Sequence, residues 1–163
     1  MSELDLGARA PEREMLDGFM DWYRSVVVRK VAGMPRELAT RIMTPSGLSA
    51  LGVVAHLAGV EVGWFAETFA GEYADPAWET HGNFQLAPDD TVESVIAEYQ
   101  ECCERSRRIA AAAPSLDALS TVATDLRGKV SLRWIMVHMI EETARHAGHL
   151  DLVCEQLDGR VGD

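Results

Sequence analysis

The chain has 163 residues, enough for one domain with a sizeable core, and nearly half of them are hydrophobic. Its formal net charge of −11 argues against nucleic acid, whose phosphates want a basic patch, and against docking on anionic membranes. The three cysteines, Cys102, Cys103 and Cys154, form no CxxC and fit reduced thiols. No apolar run is read as reaching the length of a membrane span, and the acidic, polar N-terminus shows no secretory h-region. A cytoplasmic location follows as the expectation, and a homodimer is compatible with the usual symmetry of oligomers.

Residues 1–10 read as a loose lead-in. Pro11 suits a first helical position, and Met15, Phe19, Trp22 and Val26 recur at helical steps, which predicts a helix over roughly 11–32. Gly33 and Pro35 end it. A link follows through Pro45. Ser46 or Ser49 caps a second helix, about 47–71, with Leu48, Leu51, Ala55, Val62, Phe65 and Phe69 on its core side and Gly71 as its stop.

Residues 72–88 carry turn signals, and Trp78, His81 and Phe84 make the stretch stickier than a plain linker. It reads either as a lid over a site or as a loop pinned to the surface. Asp90 with Glu93, or Thr91, opens a third helix that runs to about Ala113, where Pro114 stops it. Its apolar side is Val95, Ile96, Tyr99, Cys103 and Ile109. Residues 115–119 read as a short helix, and 120–130 as a second link with a turn at Arg127-Gly128-Lys129. Ser131 caps the last helix, over 131–157, and Gly159 ends it. Four long amphipathic helices with few strand signals predict an all-α four-helix bundle, 1–163 as a single domain.

The last helix carries the chemistry. His138, Glu142, His146 and His149 follow at steps of four, four and three, which keeps all four on one face. Residues four apart lie about 6 Å apart along the axis and can meet at one ion, whereas residues eight apart, at about 12 Å, cannot. The workable pairs are His138/Glu142, Glu142/His146 and His146/His149, and periodicity does not choose among them. The second helix adds His56, flanked on its own face by Gly52, Gly59 and Gly63. A mid-helix glycine is destabilising by about 0.5–1 kcal/mol relative to alanine, so three on one stripe indicate that something needs the space.

These stretches, VVAHLAGVEVGWF and RWIMVHMIEETARHAGHLDLV, resemble the DinB-like superfamily of metal-binding four-helix bundles. The common pattern there has one His in the second helix and an H-x-x-x-H pair in the last, often running on as H-R-G-Q. His146-Ala147-Gly148-His149 aligns with that ending, and Glu142 falls where the other ligand His usually sits. The resulting E-x-x-x-H is similar to the branch containing mycothiol-dependent maleylpyruvate isomerase and related thiol transferases.

The resemblance implies His56, Glu142 and His146 as metal ligands. His138, His149 and Arg145 stand around them as supporting or substrate-facing groups. Two imidazoles and a carboxylate leave open positions, the arrangement of catalytic rather than structural zinc. Zinc is the expected divalent metal, and nickel, iron or manganese also suit such donors. The implied activity is a metal-dependent S-transferase that holds a low-molecular-weight thiol, mycothiol or bacillithiol, as thiolate for attack on an electrophile. The arginine and alanine bias points to GC-rich coding and favours mycothiol. Arg127, Arg133 and Arg145 are candidates for an anionic substrate. Two other readings stay open: a hydrolase using bound hydroxide, and a non-catalytic metal-binding, stress-associated bundle.

Overall fold

The computed structural model describes residues 9–72 and 84–162. Four long helices form the bundle: α1 (Glu12–Val31), α3 (Ala50–Glu61), α4 (Val92–Ala112) and α5 (Leu132–Asp158). A four-residue turn of helix, α2 (Arg36–Ala39), lies in the first link. Beyond Glu61 the α3 backbone continues without a break as a π-helix, Val62–Ala70. Among the described residues there are no strands, only the isolated bridges Leu119↔Ser131 and Thr124↔Gly128.

The helix ends follow their local chemistry. Ser49 accepts from the Gly52 amide, Ser131 accepts from the Trp134 amide, and Thr91 forms a reciprocal capping box with Ser94. The third helix is thus opened by Thr91 rather than Asp90. Gly71 and Gly159 take the left-handed conformation, at φ 71° and 79°, and stop their helices where the sequence puts them. The short helix expected over 115–119 is absent. Its residues form a turn and then the bridge from Leu119 to Ser131, because the Leu116 and Ala118 carbonyls accept from the first amides of α5 instead.

The buried face of α1 is rotated from the expected stripe. Leu16, Met20, Val27 and Val31 are buried with Val26, whereas Met15, Phe19 and Trp22 are only half-buried. Two charged residues, Arg24 and Lys30, are buried on this helix, and a hydrophobicity pattern places such residues outside.

Helix directions follow from which residues meet. Glu12 pairs with Arg133 and Lys30 with Asp151, so α1 and α5 run parallel. His56 meets His146 while Trp64 meets Trp134, so α3 and α5 run antiparallel. Asp21 pairs with Arg107, and the C-terminal half of α1 shares a cluster with Val92, Val95 and Tyr99, so α4 opposes α1. Helices α3 and α4 therefore point the same way, and the connection between them must return the chain along the bundle.

The core has two apolar ends. One gathers Val27, Val31, Leu51, Val54, Leu57, Val95 and Leu150; the other gathers Leu16, Met20, Phe65, Ile135, Met136 and Met139. Between them lies a buried ion pair. Arg24 donates through Nε and Nη2 to the two oxygens of Glu61, at 2.7 and 2.8 Å. The Cys103 thiol and the Ser106 hydroxyl also face Glu61. A cavity of about 360 Å³ opens beside this pair between α1 and α4, on the wall opposite the α3–α5 seam.

The stretch Ala50–Ala70 is, against the sequence reading, long and apolar enough to cross a membrane by length and composition. It is a core helix of the bundle, with 67% of its most apolar 18-residue window buried against its neighbours. Burial on several sides explains its near-continuous hydrophobicity.

Candidate metal centre

The seam between α3 and α5 brings His56, Glu142 and His146 together. One donor atom from each lies within 4.8 Å of the other two. Glu142 Oε1 is the shared point, 3.5 Å from His56 Nε2 and 3.2 Å from His146 Nε2. Metal–ligand bonds of about 2.0–2.2 Å in a tetrahedron place donors roughly 3.3–3.6 Å apart. The two spacings to Glu142 Oε1 lie close to that range and the whole donor group stays within 4.8 Å, which is compatible with a divalent ion of the first transition row.

Helical spacing explains why Glu142 and His146 meet, since residues four apart stack on one face. The antiparallel crossing supplies His56 from the facing helix. The ring of Phe84 stacks on His56 at 4.0 Å between centroids with an interplanar angle of 14°, and it also flanks His146. Gly52 makes this approach feasible. A Cβ there would stand 2.6 Å from the Phe84 carbonyl oxygen. This part of the glycine stripe therefore admits a loop backbone. Of the loop read either as a lid or as a segment pinned to the surface, Phe84 packs on His56 and His146, whereas Trp78 and His81 fall outside the described residues.

The electrostatics suit metal ligation. Burial pushes the His146 imidazole below its ordinary pKa, and His56 adds to this against the pull of Glu142. Burial acts to raise the Glu142 carboxyl, but His146, the hydrogen bond with His56 and Arg145 together outweigh it and hold the group ionised.

The surrounding residues divide into those that reach this cluster and those that do not. His149 Nδ1 is 3.4 Å from His146 Nδ1, so one ring donates to the other. Arg145 Nη1 lies 3.1 Å from Glu142 Oε2 and also pairs with Glu141. His138, one turn before Glu142, stays outside the cluster. It faces Glu141 at 3.5 Å and packs between Trp64 and Trp134. Arg133 is engaged by Glu12 and Asp117. None of the three cysteines belongs to the donor group, and all are free thiols.

Sequence reasoning missed the pair Trp64 and Trp134. Trp64 lies eight residues after His56 and Trp134 eight before Glu142. Extending the ligand face by two turns in each helix would have found them.

A family model for mycothiol-S-transferases matches residues 15–159, nearly the whole chain and all four long helices. No curated protein matches it. The chain belongs to the mycothiol-S-transferase family, a DinB-like family.

Proposed function

We propose that this protein is a metal-dependent S-transferase that joins a low-molecular-weight thiol, mycothiol in the first instance, to an electrophile. The observation that carries the reading is the convergence of His56, Glu142 and His146 from two helices distant in sequence, within a chain of this family. A divalent ion held there, zinc as the first expectation, supplies the Lewis acidity that keeps a thiol as reactive thiolate at neutral pH.

The chain's own residues do the rest. His56 and His146 present Nε2, and Glu142 presents Oε1, to one locus. The contact of His149 with Nδ1 of His146 fixes which nitrogen of His146 is left for the metal. Arg145 takes the other oxygen of Glu142 and holds the carboxylate in register. Phe84 covers the His56 ring and screens that side from water. The protein's own cysteines do not serve as nucleophile. Burial pushes the Cys102 thiol up to about 12 and raises Cys103 and Cys154 as well, and none of them belongs to the donor group, which favours a reacting sulfur from a second molecule.

The test is zinc-loaded protein with mycothiol and 1-chloro-2,4-dinitrobenzene, followed by the absorbance of the thioether product. Conjugate should form, and it should disappear after chelation and in Glu142→Ala. Absence of conjugate with both mycothiol and bacillithiol would remove the transferase reading.

A further inference from the structure

We infer that Trp64, Trp134, His138 and Arg127 form the binding shelf for the electrophile, and that the shelf selects a planar aromatic ring carrying a carboxylate. This rests on the transferase reading and names the substrate class for it. Trp64 and Trp134 meet at 5.3 Å between ring centroids. His138 stacks on Trp134 at 5.1 Å and meets Trp64 edge-on at 4.8 Å. The three rings are only half-buried, and they lie in the same α3–α5 seam as the donor cluster. His138 is one turn, about 6 Å along the axis, from Glu142. The aromatic group therefore lies beside the donor cluster, within reach of a molecule bound along the seam.

Arg127 supplies the charge. Its guanidinium stands over the Trp134 ring at 5.2 Å from the centroid. It is held there by the tight turn in which Thr124 and Gly128 exchange both backbone hydrogen bonds, with Gly128 at φ 66°. Of the three arginines near the seam, Arg133 is engaged by Glu12 and Asp117, and Arg145 by Glu141 and Glu142. Arg127 is exposed and makes no ion pair among the described residues, so its planar fork is free for a carboxylate. In the reaction, sulfur forms a bond to the ring carbon bearing the halide. The carbon–halide bond breaks, halide leaves with the electron pair, and the thiol proton goes to solvent.

The experiment separates binding from turnover. The unreactive probe 3,5-dinitrobenzoate is titrated against the full chain by calorimetry, with its methyl ester in parallel, and needs neither thiol nor reaction. Arg127→Gln should weaken the carboxylate about tenfold and leave the ester unchanged, as expected for loss of one charge-assisted contact, and Arg127→Lys should recover part of the loss. With 4-chloro-3,5-dinitrobenzoate and mycothiol, the same variant should raise KM with little change in kcat. No binding of the probe, or equal loss for acid and ester in Arg127→Gln, overturns the shelf. Arg127-dependent binding without any thioether product supports the shelf and counts against the transferase reading.

Discussion

Glu142 is held by three side chains at once: His56 and His146 share its Oε1, and Arg145 takes Oε2. His149 acts one step further out, through Nδ1 of His146. Partners of this kind orient a ligand ring, and removing one lowers metal affinity by about 10–100-fold. His149→Ala should therefore weaken zinc binding by that factor in a competition titration, with the circular dichroism spectrum unchanged; unaltered affinity would show that the contact is incidental. The cysteines make a second test at this scale. Burial raises the Cys102 and Cys103 thiols, so the thiolate needed for alkylation is scarce at pH 8. Native protein should react with iodoacetamide far more slowly than protein unfolded in urea, and conjugation activity should survive replacement of Cys102 by Ser.

At the scale of elements, α3 carries most of the information that periodicity does not give. Its histidine and its glycines were legible because they interrupt an apolar run. The change to a π-helix after Glu61 was not, since the residue pattern on either side is equally hydrophobic. Nor was the pairing of Arg24 with Glu61, because a charged residue on a helical wheel is assigned to the wet face by default. Breaking a buried ion pair from one side costs about 3–5 kcal/mol, while replacing both partners by apolar groups costs far less. Urea denaturation should accordingly show Arg24→Met much less stable than the double variant Arg24→Met/Glu61→Leu. Equal stabilities would mean that the pair is not buried as described. Gly52→Ala tests the loop contact. The added methyl meets the Phe84 carbonyl oxygen at 2.6 Å and the Ser49 hydroxyl at 2.9 Å, so one side must shift. A loss of about 1–3 kcal/mol in the same assay is expected.

For the whole molecule, the sequence supplied faces but not directions. Helical spacing put His138, Glu142, His146 and His149 on one side and left three pairs open, because a helix fixes only which residues share a face; the resemblance to DinB-like bundles was needed to nominate His56, Glu142 and His146. That α3 and α4 run the same way depends on long connections, and periodicity carries no information about those. The aromatic group Trp64, Trp134 and His138 went unnoticed for a related reason: it exists only once the two helices cross antiparallel. The central claim is that this crossing builds a metal centre from both helices. Elemental analysis of untagged protein, purified without chelator, measures it directly. The account predicts about one equivalent of a divalent transition metal in the native chain, and loss of it in His56→Ala as completely as in Glu142→Ala or His146→Ala. Native protein free of metal, or a His56→Ala variant that keeps its full complement, would contradict it.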